Sequence, residues 1–244
     1  MAKAPPDGYT LFLSGSNFWV EPLLQKVPYD PARDFSPIAG ATTSPLVFVV
    51  HPSLPVKSVK ELIALAKARP GALNYSSSVT GTSGHLAAEL FKSMAGVDIV
   101  RIGYKSGGQS VIALVSGEVQ VAFNPAGGTV MSQVKSGRLR ALAVTSAQPS
   151  VLAPGLPTMA AAGLPGYESS AIQSVFAPAK TPEAIITRLN QEILRFLNAP
   201  ETKERLINAS VEAIGSTPEQ LAATVKFEMA KWGKVIKDAG IRAE

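Results

Sequence analysis

The 244-residue chain is 46% hydrophobic and 17% charged, with a mean hydropathy of +0.17. That composition excludes a disordered chain, and the length suits one large domain or two modest lobes, each able to bury its own core. Cysteine is absent, which excludes disulfide scaffolds, thiolate metal sites and cysteine nucleophiles. The net charge of +5 and pI near 9.4 tilt the partner toward an anion. The basic residues are scattered without interleaved aromatics, so there is no nucleic-acid footprint. No run approaches the roughly 18 apolar residues of a membrane span.

Met1-Ala2-Lys3-Ala4-Pro5-Pro6 contains no apolar core of a signal peptide, so the chain as it stands reads as having no export signal. Tyr9–Leu13 is expected to form a buried strand, as are Leu46–Val50, Asp98–Ile102, Val119–Phe123 and Leu139–Thr145, all short, β-branched or aliphatic, and flanked by Gly, Pro or Ser. Leu73-Asn74-Tyr75 is a further strand candidate. Between them, Ser58-Val59-Lys60-Glu61 reads as a capping box opening a helix that Pro70-Gly71 ends. A second helix carries Leu86, Leu90, Phe91 and Met94 on one side and stops at Gly96. Thr181-Pro182 places an N-cap before a first-turn proline, followed by a stripe of Ile185, Ile186, Leu189, Ile193, Phe196 and Leu197. Thr217-Pro218-Glu219-Gln220 repeats the device ahead of Leu221, Val225, Met229, Trp232, Val235 and Ile236. Such alternation predicts an α/β fold with mostly parallel sheets and helices on both faces, in which ligands bind beyond the carboxyl ends of strands.

Four polar loops follow strands. Ser14-Gly15-Ser16-Asn17-Phe18-Trp19 is either a ligand loop with Trp19 as an apolar wall or an ordinary turn with both aromatics in the core. Ser76-Ser77-Ser78-Val79-Thr80-Gly81-Thr82-Ser83-Gly84 precedes a helix, where free backbone N–H groups and the helix dipole favour a carboxylate or phosphate; the alternative is plain capping by Thr82 or Ser83. Lys105–Ser110 and Asn124–Thr129 are shorter versions of the same arrangement. None fits G-x-x-x-x-G-K-[ST] or G-x-S-x-G. A hydrolytic triad would have to draw on His85, two residues after Ser83, or on His51; two distant histidines and no cysteine make a poor metal ligand set.

Several stretches are similar to one family. Pro5-Pro6-Asp7-Gly8-Tyr9-Thr10-Leu11 resembles its PDGYTL strand entry, and Val27-Pro28-Tyr29-Asp30-Pro31-Ala32-Arg33-Asp34-Phe35-Ser36-Pro37-Ile38 its LPYDPxxDFxPI segment. His51–Ser58, Ala141–Ser146, Ala162–Glu168 and Phe176-Ala177-Pro178 continue the series in order over essentially the whole chain. The chain thus resembles the tripartite tricarboxylate transporter receptors, the Bug or TctC-like solute-binding proteins. The resemblance implies a two-lobed α/β fold of the periplasmic-binding-protein type II kind, residues 1–45 plus 170–244 forming lobe 1 and 46–169 lobe 2. It implies a periplasmic receptor that captures a small organic carboxylate between lobes for a membrane transporter, with no cofactor, no metal and no chemistry. Carried over residue by residue, the ligand contacts fall on Ser16 and Asn17, on Ser78, Thr80, Gly81, Thr82 and Ser83, and on Asn124, with Ala171-Ile172-Gln173 approaching the cleft.

Three departures stand out. Members begin earlier, so the first strand and its glycine-rich loop are expected to be missing from lobe 1, leaving an open apolar sheet edge and weak or absent binding unless another chain or a rearranged segment fills the gap. Asn124 stands where many members have Asp, which favours a more anionic ligand, and Gln173 and Ser174 replace small and aromatic residues. Two other functions compete with the receptor: a hydrolase using Ser83 and His85, and a cytoplasmic effector-sensing module, which would need a DNA-binding segment.

Overall fold

The computed structural model describes residues 1–242 and falls into two units. One comprises Met1–Thr43 and Ala171–Lys237; the other comprises Ser44–Ser170 with Asp238–Arg242.

The first unit holds β1 (Phe12–Gly15), α1 (Asn17–Leu24) and the first part of β2 (Phe35–Val50), a 16-residue strand whose remainder belongs to the second unit. After the second unit, the chain supplies β7 (Ser170–Pro178), α6 (Glu183–Asn198), α7 (Pro200–Asn208), β8 (Glu212–Ala213) and α8 (Pro218–Asp238). β7 lies between β1 and β2; β1 pairs with it antiparallel, Phe12 opposite Phe176 and Gly15 opposite Gln173. β8 pairs antiparallel with Thr42 and Thr43. One side of this sheet is covered by rings. Phe18 sits 4.8 to 5.2 Å, centroid to centroid, from Phe12, Tyr29, Phe35 and Phe176. On the other side, Ile186, Leu189 and Ile193 of α6 pack on Ile38, Val175 and Ala177.

The second unit takes β2 from Ser44 onward, then α2 (Val59–Ala68), β3 (Asn74–Ser77), α3 (Ser83–Ala95), β4 (Val100–Gly103), α4 (Gly107–Ser116), β5 (Val121–Pro125), α5 (Gly128–Lys135) and β6 (Arg140–Val144). Its strand order is β4-β3-β5-β2-β6. β3 is parallel to β4 and β5, whereas β2 runs antiparallel to both β5 and β6. On one face, Ala113, Leu114, Val130 and Leu139 close over Val47, Val49 and Ala122. On the other, Phe48, Phe91 and Phe123 form a ring cluster with centroids 4.3 to 5.9 Å apart.

Several expectations need correction. The sheets are mixed, not mostly parallel, because β2 enters the second unit against the direction of the strands on either side. Leu46–Val50 is only the end of that long strand. Tyr9–Leu13 is not a buried strand: the strand is Phe12–Gly15 at a sheet edge, with Tyr9 93% and Leu13 65% exposed. Thr181 does not cap α6. Its hydroxyl donates to the Pro178 carbonyl at 2.8 Å, so Pro182 takes the cap position and the helix starts at Glu183. Phe196 is 64% exposed, outside the buried stripe. The two capping boxes form unequally. Thr217 and Gln220 bond reciprocally, each side chain accepting the other's backbone N–H. Ser58 accepts from Glu61 N–H, but the Glu61 carboxylate reaches one residue further back, to Lys57 N–H at 2.7 Å.

Candidate functional site

In the second unit, the strands β3, β4 and β5 each end in one of the polar loops. The loop after β3 is shaped by its own side chains. Gly81 has φ +81°, a conformation that a residue with a Cβ rarely adopts, and its N–H donates to His85 Nδ1 at 3.1 Å. Thr82 occupies the N-cap position of α3, yet its hydroxyl donates to the Val79 carbonyl at 2.8 Å and caps nothing. The Ser78 hydroxyl joins Thr82 Oγ1 at 3.3 Å. The first turn of α3 therefore lacks the side-chain cap that Ser58 gives α2 and Ser106 gives α4.

Arg101, one strand away on β4, holds this loop from outside. Its Nε donates to Ser77 Oγ at 2.8 Å, Nη1 to Thr80 Oγ1 at 2.9 Å and Nη2 to the Ser78 carbonyl at 3.0 Å. No local sequence pattern signals this arrangement, because it depends on the register that sets Arg101 opposite Tyr75.

The start of α3 presses against the end of β5. A Cβ built on Gly84 would lie 2.6 Å from the Phe123 carbonyl oxygen, so only glycine fits this approach. The next residue, Asn124, is 6% exposed, and its Nδ2 is buried without a hydrogen-bond partner among the described residues. Beyond it, Gly127 is the N-cap of α5 and has no side chain with which to cap. Asn124 thus follows the residue whose carbonyl abuts the uncapped start of α3 and precedes by three residues the uncapped start of α5. It also lines a cavity of about 710 Å³ with Gly107, Gly127, Thr129, Val111 and Val130. Gln133, on the same cavity, has a buried Oε1 that likewise lacks a partner among the described residues.

The remaining candidates lie in the first unit. Asn17 is the first residue of α1 and Ser16 its N-cap, which makes no side-chain cap bond. Asn17 lines a cavity of about 360 Å³ with Ser14, Glu21 and Tyr29, partly bounded by Met1 and Ala2. The Tyr29 hydroxyl donates to the Phe18 carbonyl and to Glu21, and its pKa is pushed up to about 12, first by burial and then by the Glu21 charge. Trp19 is fully buried, which decides between its two readings: it is core, not a ligand wall. Its Nε1 and the Oγ of the fully buried Ser174 lack partners among the described residues as well. Gln173 is exposed, and its amide lies 3.1 Å from a Cβ built on Gly15.

The hydrolase alternative fails on the imidazole. His85 is buried, and because Gly81 N–H donates to Nδ1, the ring is the neutral tautomer with its hydrogen on Nε2. In that tautomer Nδ1 is the ring's one acceptor, and the Gly81 N–H already occupies it, so it is not open to the Ser83 proton. Nearby, the buried Tyr75 hydroxyl donates to Glu89 at 2.5 Å and Lys92 pairs with the same carboxylate at 2.9 Å. Burial and then the Glu89 charge raise the Tyr75 pKa far above that of an ordinary phenol. The group is a closed structural network, spent on its own members.

Comparison with known proteins matches this chain to one family throughout. The family profile described as "Tripartite tricarboxylate transporter family receptor" covers residues 1–241. Protein BugT of Bordetella pertussis is 34% identical over 246 residues, 99% of this chain and 74% of BugT. The R. palustris protein Rpa4515, solved with adipate, is 37% identical with a TM-score of 0.81, covering 100% of this chain and 82% of that one. MatC from Rhodopseudomonas palustris, solved with bound malate, is 26% identical with a TM-score of 0.75, covering 96% of this chain and 81% of MatC. The chain belongs to the family of tripartite tricarboxylate transporter receptors.

Proposed function

We propose that this chain captures a small organic carboxylate in the periplasm and delivers it, unchanged, to a tripartite tricarboxylate-type transporter. The observation that carries the reading is Asn124: a buried amide nitrogen without a partner among the described residues, next to the Phe123 carbonyl that abuts α3 and three residues before the bare N-cap of α5. A buried unpaired amide costs about 1–3 kcal/mol, and uncapped helix starts leave oriented N–H donors unused. A carboxylate satisfies both, since it accepts from amide N–H groups and is favoured by helix N-terminal dipoles. Within the second unit, Ser78, Thr80, Ser83 and Asn124 supply the contacts, and Gly81 and Thr82, whose own donors are turned to His85 and Val79, shape the loop that presents them. Adipate and malate, the ligands solved with Rpa4515 and MatC, are both dicarboxylates and support this class.

Isothermal titration calorimetry against adipate, malate and neutral analogues tests the reading. Binding of a dicarboxylate, even if weak, in preference to its diamide is expected. Asn124→Asp sets a negative charge against the ligand and should weaken binding at least about tenfold. Equal binding of the diamide, or an Asn124→Asp chain with wild-type affinity, would overturn it.

A further inference from the structure

We propose that Arg101 of β4 is a positioning residue for the anion site, fixing the Ser78–Thr82 loop in its receptive shape before ligand arrives and supplying the cationic charge that the loop itself lacks. The inference rests on the carboxylate reading above.

The loop from Ser76 to Gly84 contains no lysine or arginine; it is built from Ser, Thr, Val and Gly. Loops of this composition are flexible, and ordering one on binding costs affinity. Here three donors of a single guanidinium engage two hydroxyls and one carbonyl spread over Ser77, Ser78 and Thr80. The planar fork fixes the three acceptors relative to one another, which one ammonium on a flexible stem does not reproduce. The two hydroxyls use oxygen lone pairs toward Arg101, so their own hydrogens point elsewhere. The Ser77 hydroxyl follows this rule and donates onward to the Ser78 carbonyl at 3.3 Å. Arg101 is itself a residue of β4, in register opposite Tyr75 of β3. The guanidinium therefore belongs to the rigid sheet while its donors reach into the loop. Its charge is partly buried and only partly screened by salt, so it adds attraction for an anion held by the loop.

The test uses Arg101→Lys and Arg101→Gln with adipate and malate as probes. Both variants are first checked by thermal melting for a folded chain. Amide hydrogen exchange at Gly81 and Thr82 of the ligand-free protein reads the positioning role directly. Both variants should exchange faster at these amides, with core amides of β5 unchanged. Arg101→Lys keeps charge but loses the fork, so affinity should fall about tenfold while its dependence on ionic strength persists. Arg101→Gln should fall further and show a flatter ionic-strength dependence. Unchanged exchange at Gly81 and Thr82, or variants that bind as tightly as wild type, would overturn the inference. A wild-type chain that binds neither probe would instead overturn the carboxylate reading and with it the charge role, while the exchange result still decides whether Arg101 sets the loop.

Discussion

Replacing Asn124 by leucine should stabilise the ligand-free protein and cripple binding in the same molecule. Asn124 is 94% buried, counted from its 6% exposure, and its amide nitrogen has no partner among the described residues. Removing an unsatisfied buried amide recovers about 1–3 kcal/mol. Leucine has the same number of side-chain heavy atoms in the same branched shape, so its slightly bulkier methyl groups fit beside the cavity of about 710 Å³, and exchanging the polar oxygen and nitrogen for apolar carbons adds a smaller gain. The sum, about 2 kcal/mol, corresponds to a rise of about 4–8 °C in melting temperature for a chain of this size. Loss of one hydrogen bond to a charged ligand costs about 1.5–3 kcal/mol, or roughly ten- to a hundredfold in Kd. Differential scanning calorimetry of the ligand-free protein and titration with adipate and malate read the two effects separately. Opposite signs are the signature of a polar group kept for a ligand. A variant that melts lower than wild type without ligand, or binds equally well, would show that Asn124 serves the fold and not the site.

Two further perturbations follow from the same geometry. Gly84→Ala places a Cβ 2.6 Å from the Phe123 backbone oxygen. Overpacking of this kind costs about 1–3 kcal/mol, more than the roughly 1 kcal/mol alanine gains over glycine in a helix, so urea unfolding should show a net loss and titration a weaker carboxylate complex. Wild-type urea midpoints with an unmoved or tighter complex would remove the close approach from the argument. Alkaline pH gives the other. The Tyr29 phenol, ordinarily near 10, is pushed up to about 12 in the folded chain by burial and Glu21. A raised phenol pKa means the fold favours the neutral form. Its contribution is intact below pH 10 and is lost as pH climbs from 10 through 12, so the urea midpoint should fall between pH 9 and 11.5. Tyr29→Phe should make that fall shallower; an identical slope in the variant would refute the assignment.

Local chemistry and tertiary chemistry separate cleanly along this chain. Helix starts at Ser58 and Thr217 and the C-terminal glycine of α3 are written in contiguous residues, since caps act over three or four positions. The polar loops were visible for the same reason. What stayed hidden was whatever depends on strand pairing. Leu46–Val50 looks like a complete short strand, yet the chain stays extended from Phe35, through Ser36 and Pro37, because the first part of β2 belongs to the first unit's sheet, beside β7 and paired with β8 at Thr42 and Thr43. The parallel sheet expected from strand–helix alternation overlooks β2, whose direction no local pattern records. Trp19 was ambiguous because an aromatic after a polar loop suits both a ligand wall and a core, and only its packing near Phe18 and Phe176 chooses.

The same distinction explains why the residues richest in functional meaning are the least conspicuous in the sequence. A site that grips an anion through backbone N–H groups needs no particular side chain at the contact, only a loop that small residues permit and something rigid that holds it. Gly81 and Gly84 provide the permission, one by a left-handed φ and one by admitting a carbonyl where a Cβ would stand. The rigidity comes from Arg101 and His85, which lie on the flanking strand and helix and bond inward to the loop. Changing a hydroxyl residue within such a loop removes one contact of several. Changing the residues that hold the loop removes the arrangement, so substitutions at Arg101 should cost more affinity than Ser78→Ala does. Calorimetry on the two variants compares them directly, and a larger loss for Ser78→Ala would mean that the side chains, not the held backbone, carry recognition.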